Sequence, residues 1–209
     1  MKRLFLITLF LLFAVTCYAG QKAITDTGEQ VILNSDGTWN YIDKEQKTEK
    51  KIETNKTKFN RPVDSTFLLK STQNQAAFWI NPAKWSFNKS TENSAKEYEF
   101  RLKDKELFGM AITETLEVPL ESITEIALIN AREVAPDIKV VKQEYRVVNG
   151  KKVIYMEMTG TMKGIAFTYL GYYYSSPAGT TQLVAYTLTS SVNKYAAEII
   201  DFLNGLDTQ

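Results

Sequence analysis

The chain has no histidine among its 209 residues and a single cysteine, Cys17. Histidine-containing zinc sites, Ser-His-Asp hydrolysis and histidine general bases are thereby excluded. With Cys17 set aside, so are cysteine nucleophiles. One thiol cannot close an internal disulfide, so the core alone has to hold the fold. Long apolar runs are also missing: the longest, Leu4 to Val15, is about a dozen residues, short of the roughly 20 that a membrane-spanning helix needs. Charge of one sign is missing too, with 25 basic residues against 24 acidic and both signs interspersed, which points to neither nucleic acid nor an anionic membrane. Carboxylate chemistry, a lysine-activated serine and an oxygen-ligand calcium site stay open.

What is present begins with an export signal. Lys2 and Arg3 precede the apolar run, and Cys17-Tyr18-Ala19 supplies a small-residue exit, so residues 1–19 read as a signal peptide cleaved after Ala19. The alternative is a lipoprotein anchored through Cys17. Against it, Ala14-Val15-Thr16 puts no glycine or alanine directly before the cysteine. Either way the pattern predicts a periplasmic or secreted protein whose mature chain has no transmembrane segment. Taking Lys2 and Arg3 from the 25 basic residues leaves 23 against 24 acidic ones.

Three segments follow. Residues 20–42 contain short apolar runs at Ala23-Ile24, Val31-Ile32-Leu33 and Trp39-Asn40-Tyr41, separated by Thr27-Gly28 and Asp36-Gly37, which predicts a small β-meander. Alternation puts Val31 with Leu33 on one face and Trp39 with Tyr41 on another. Residues 43–64 are rich in Lys and Glu with few apolar positions, and read as a flexible, solvated linker or a mixed-charge helix. Residues 65–209 form the main domain. Within it, 96–102 and 107–114 alternate with period two, Pro119 opens a helix to about Val134, and Asn149-Gly150 joins a long hairpin. That turn predicts Tyr145 opposite Ile154, Val141 opposite Met158 and Lys142 opposite Glu157. Val141, Tyr145, Val147, Ile154, Met156 and Met158 should then share a buried face. Residues 165–174 and 181–188 are apolar on both sides and read as central strands. A last helix, capped by Ser190 or Ser191, is expected to run to Asn204 with Leu206 on its apolar stripe.

Four strands, a helix, four strands and a helix, entered through Phe78-Trp79-Ile80-Asn81-Pro82-Ala83-Lys84-Trp85, resemble the fold of the PsbP subunit of photosystem II, shared by the Mog and DcrB-like proteins. The resemblance covers about Thr66 to Leu206. It implies an α+β domain with an antiparallel sheet covered by helices, an α/β/α sandwich, here preceded by the small meander on its linker. Separately, Ala23-x-Thr-Asp-x-Gly-x-x-Val-x-Leu-x-x-Asp-Gly-Thr-Trp is similar to a DGTW-type segment near the start of uncharacterised exported bacterial proteins. Together the two resemblances imply an envelope protein without catalysis, serving as an accessory or adaptor for a protein partner, with no functional residue carried across.

The residues offer few sites. Trp39 and Tyr41 on the meander, and Trp79, Trp85 and Tyr173 in the main domain, are the candidate contacts for a partner, a glycan or a small molecule. Alternation allows only some of Tyr169, Tyr172, Tyr173 and Tyr174 to converge, and core and sheet-edge packing is the better account of them. Glu97 with Glu99, and Glu114 with Glu117, are the carboxylate pairs that a glycosidase would need, or else solvated strand faces. Ser-x-x-Lys occurs at Ser86 to Lys89 and at Ser191 to Lys194 without the partner motifs of a serine-lysine enzyme. Asp26 and Asp36 sit in turn sequences that need no calcium to explain them. No catalytic residue, metal site or cofactor follows from these patterns.

Overall fold

A computed structural model describes residues 21–25, 30–41, 51–91 and 96–208. The expected signal peptide, the Thr27-Gly28 turn and the first part of the expected linker lie outside them. Three strands, β1 (Gln21–Ile24), β2 (Gln30–Leu33) and β3 (Trp39–Tyr41), form an antiparallel sheet of their own. The chain continues through β4 (Glu53–Phe59), β5 (Phe67–Lys70), β6 (Ala76–Ile80), β7 (Trp85–Lys89), β8 (Lys96–Leu102) and β9 (Leu107–Glu114) to α1 (Leu120–Val134). There follow β10 (Lys139–Val148), β11 (Lys151–Met162), β12 (Ile165–Ser176) and β13 (Gly179–Leu188). Two 3-10 turns lead into α2 (Ala196–Leu203), and β14 (Leu206–Thr208) ends the described chain.

The large sheet has eight strands in the order β4-β10-β11-β12-β13-β9-β8-β7. All its pairings are antiparallel except β4 with β10, so the sheet is mixed. As the two-sided apolar pattern requires, β12 and β13 are central. One face packs Ile154, Met156, Met158 and Tyr173 under α1, whose inner stripe is Ile123, Thr124 and Ala127. The opposite face packs Val153, Tyr155, Leu170, Tyr172 and Leu183 against α2 and a second sheet, β14-β6-β5.

This arrangement corrects the expected helix-covered antiparallel α/β/α sandwich. Strands dominate, the main sheet is mixed, and two α-helices occur among the described residues. The physical reason lies in the second covering layer, which is built largely from strands. After Leu188 the chain makes 3-10 turns at Thr189–Ser191 and Asn193–Tyr195, without the expected serine side-chain cap, and only eight residues remain helical. Gly205 then passes so close to β6 that a Cβ there would sit 2.0 Å from the Trp79 carbonyl oxygen. Leu206 therefore pairs with Phe78 as a strand residue and does not extend the helical stripe. Gly109 admits α2 in the same way: its missing side chain makes room for Phe202, which stacks on Trp85 at 4.5 Å and meets Phe100 edge-on at 5.0 Å.

Two further expectations change. Within the range read as a linker, 53–59 is a strand on the sheet edge. Its ends are anchored by Ile52 and Phe59, which pack on opposite faces of the sheet, while Lys56 and Lys58 stay exposed, as suits an edge strand. In the long hairpin, Tyr145 does face Ile154 and Lys142 does face Glu157, but a bulge lies between Val140 and Lys142. Val140 takes the place opposite Met158, and Val141, the extra residue, turns outward with half its surface exposed. Val147, next to the turn, is exposed as well. The turn itself adopts positive φ at Asn149 and Gly150, as an Asn-Gly hairpin requires.

Candidate functional site

The meander's register decides what its aromatic residues can do. Leu33 pairs with Trp39, Val31 with Tyr41 and Ala23 with Val31. Directly opposed residues of an antiparallel pair share a face, so Ala23, Val31, Leu33, Trp39 and Tyr41 share one apolar face across three strands, with Val31 buried and Leu33, Trp39 and Tyr41 exposed. The two pairs expected on separate faces are thus brought onto one. Trp39 is 49% exposed and Tyr41 54% exposed, and their rings meet edge-to-face at 4.9 Å. The turn presenting Trp39 is hydrogen-bonded: Gly37 sits at φ 84°, and the Thr38 hydroxyl and backbone N–H both donate to Asp36 Oδ1. Those bonds, the hydroxyl's foremost, hold the Asp36 carboxyl below the usual carboxylate range.

The other expected contacts scatter. Trp85 is buried under α2. Tyr173 is 1% exposed in the α1-side core, where burial pushes its phenol up. Trp79 is half-buried on the small sheet on the other side, donating from Nε1 to Asp207 Oδ2 at 3.2 Å, with the Arg61 guanidinium 3.9 Å above its ring. No common groove joins Trp79 to Tyr173.

The carboxylates separate in the same way. Glu99 is exposed and bonded to Lys96, whereas Glu97 is buried. Glu97 accepts four hydrogen bonds: from the Thr113 hydroxyl at 2.5 Å and, each at 2.7 Å, from the Ser71 hydroxyl, the Thr72 hydroxyl and the Thr72 N–H. Burial pushes this carboxyl up, but the four donors outweigh it and hold the group below its ordinary value. With its lone pairs engaged, Glu97 ties the β5–β6 turn to β8 and β9. Ser86 donates to the Arg101 carbonyl, and the Lys194 ammonium lies 5.0 Å from the Tyr195 ring, so both Ser-x-x-Lys sequences have bland explanations.

A polar cluster that the sequence reading passed over lies where β10 meets the α2 layer. Arg146, 6% exposed, donates from Nε to Glu144 Oε1 at 2.7 Å and from Nη1 to the Tyr172 hydroxyl at 3.1 Å, and its Nη2 is 2.6 Å from Glu144 Oε1. The guanidinium stacks over Tyr155 at 3.7 Å and faces Phe59 at 4.6 Å. Tyr172 in turn donates to Asn204 Oδ1 at 2.9 Å. Alternating Lys142, Glu144 and Arg146 look like a solvated strand face. The usable signal was that Val148 and the facing Val153 and Tyr155 are apolar on that same side.

No protein-family model matches this chain, and no curated protein matches it. Among solved structures it is similar to cyanobacterial PsbP (CyanoP) from Synechocystis sp. PCC 6803, with a TM-score of 0.56 at 10% identity over 71% of this chain and 95% of that one. The fold is PsbP-like. Weaker likenesses are to a Pseudomonas aeruginosa protein of unknown function, TM-score 0.44 at 11% identity over 68% of this chain and 96% of the other. LpqN of Mycobacterium tuberculosis, involved in cell envelope biogenesis, gives 0.44 at 14% identity over 65% and 86%. At these identities the likeness shows the fold and leaves function to the sites. No described helix is long and apolar enough to cross a membrane.

Proposed function

We propose that this chain is an exported, non-catalytic accessory protein, periplasmic or secreted, that binds an envelope protein partner. The meander is one of its contacts. The observation that carries the reading is the exposed apolar surface of Leu33, Trp39 and Tyr41, set beside a hydrogen-bonded turn and in register across β2 and β3. Large aromatic side chains held half in water are what a protein interface buries first. The non-catalytic part is supported by the engagement of Glu97 in four hydrogen bonds, while the buried, separated positions of Trp85 and Tyr173 weigh against a glycan or small molecule held on an aromatic face. The PsbP-like fold is compatible with an accessory role.

The test is site-specific photocrosslinking in the native envelope fraction, using the full chain with a photoreactive residue at position 41 or at the exposed control position Val141. A discrete adduct from position 41, absent from position 141 and lost in Trp39→Ala, is the expected result. Equal adducts from both positions, or none from position 41, would remove the meander from the interface, and an adduct that survives Trp39→Ala would remove Trp39 from it.

A further inference from the structure

A cleft of about 210 Å³ opens between α2 and the face of the large sheet. Tyr155 and Leu170 line it from the sheet and Ile199 and Ile200 from α2, with Arg146 and Glu157 as its charged members. At about 30 Å³ per water molecule in the liquid, its volume corresponds to about seven waters, or a small molecule of comparable size. Drug-sized pockets start at about 300 Å³, so a long acyl chain or an oligosaccharide is too large.

The charged members carry the argument. A guanidinium has five N–H donors. Arg146 directs its Nε, Nη1 and Nη2 to Glu144 and Tyr172, one hydrogen each, which leaves one hydrogen on each Nη. Glu157 is left differently. The residue opposite it, Lys142, turns its ammonium to Glu144 Oε2 at 3.3 Å, and Glu157 accepts at Oε2 from the Tyr155 hydroxyl at 3.2 Å. No cation pairs with Glu157 among the described residues. The cleft therefore combines spare N–H donors, a carboxylate without a counter-charge and aliphatic walls.

We propose that this cleft binds a free aliphatic amino acid, its carboxylate on Arg146, its ammonium on Glu157 and its side chain along Ile199, Ile200 and Leu170. A simple carboxylic acid would meet Glu157 with nothing to neutralise it, and a simple amine would leave the Arg146 donors unused. Only the zwitterion answers both. This site is separate from the meander, so the two readings stand or fall independently.

The experiment is calorimetric or NMR titration of the full chain with L-leucine and L-isoleucine, beside 4-methylpentanoate and isoamylamine, which lack the ammonium and the carboxylate respectively. Saturable binding of the amino acids, at least about tenfold tighter than either control, is expected; tenfold corresponds to about 1.4 kcal/mol. Ala196→Trp, at an exposed α2 position on the cleft, should abolish it with the thermal midpoint kept, and Glu157→Gln should weaken it about tenfold. Absence of saturable binding up to about 10 mM, equal binding of either control, or undiminished binding in Ala196→Trp would overturn the proposal. Arg146 is left intact, because removing it would take the closest cation from Glu144 and a donor from the buried Tyr172 hydroxyl.

Discussion

Glu97→Gln tests whether the buried carboxylate at the base of the β5–β6 turn organises that turn or merely occupies space. In the native chain the carboxylate accepts from Thr113, Ser71 and twice from Thr72. A hydrogen bond to a charged acceptor contributes about 1.5–3 kcal/mol, and a buried donor left unmade costs about 1–3 kcal/mol. Oε2 accepts from Thr113, which is 3% exposed, and from Ser71, and Oε1 accepts twice from Thr72, which lies nearer the surface, so Gln keeps an acceptor for one of the two pairs and Ala for neither. An amide retains one accepting oxygen but turns an NH2 toward donors. The expected loss is about 2 kcal/mol for Gln and about 3 kcal/mol for Ala, read as a lower urea midpoint at unchanged m-value. The pH dependence supplies a second reading. Because the folded carboxyl is held below its ordinary value of 4.5, its stabilisation is fully present above that pH and is lost as pH falls through the folded value. The gap between wild type and Glu97→Gln should therefore be full at neutral pH and narrow on acidification below about pH 4.5. A gap under about 0.5 kcal/mol at pH 7, or one that widens in acid, would refute the account.

Four other outcomes follow from named contacts. Gly205→Ala would set a Cβ 2.0 Å from the Trp79 carbonyl, a backbone atom with no freedom to yield, so the thermal midpoint should fall steeply, by the equivalent of about 3 kcal/mol or more. Asn149→Ala would remove an Nδ2 that donates to the Asn204 and Leu206 carbonyls and an Oδ1 that accepts from the Arg61 N–H, at a positive-φ position, and should cost about 2–3 kcal/mol in denaturant titration. Tyr172→Phe should cost about 1–2 kcal/mol, since its hydroxyl accepts from Arg146 and donates to Asn204; an unchanged midpoint would mean that water replaces it. By contrast, Trp39→Ala should leave the unfolding of the large sheet within about 0.5 kcal/mol, because Trp39 is exposed and its pairing lies within the meander.

Legibility in the sequence followed how local each determinant was. Asn149-Gly150 fixes a two-residue turn by its own positive-φ preference, and the register near it, Tyr145 on Ile154, was readable from that pair alone. Farther along the same hairpin the bulge at Val141 moved the pairing by one residue. Nothing in Lys139 to Lys142 marks it, because Val140 and Val141 are interchangeable as apolar strand residues. The strand at 53–59 was hidden for a related reason. Its interior is Thr54, Asn55, Lys56, Thr57 and Lys58, and the apolar residues that dock it are Ile52 and Phe59 at its ends. An edge strand is held by a neighbour's backbone and by anchors such as Asn55 donating to Glu144, and neither leaves a periodic trace in its own sequence.

The candidate surfaces divide along the same line. Trp39 and Tyr41 were legible as a pair because two residues in one strand share a face by alternation. That Val31 and Leu33 lie on the same side required the register across β2 and β3, a property of pairing rather than of either strand. Arg146 was the harder case. One residue in three of Lys142, Glu144 and Arg146 is buried, and that residue is selected by the distant Phe59, Tyr155 and Tyr172 that surround its guanidinium. Burial of an arginine with a single carboxylate is costly unless its remaining donors are met, and Tyr172 meets one of them. The same packing that brings Arg146 into the fold leaves Lys142 closer to Glu144 than to Glu157, and so leaves Glu157 without a counter-charge among the described residues at the cleft. The unevenness of that charge cluster follows from a non-local burial choice, which is why the cleft's chemistry became visible only with the strands in place.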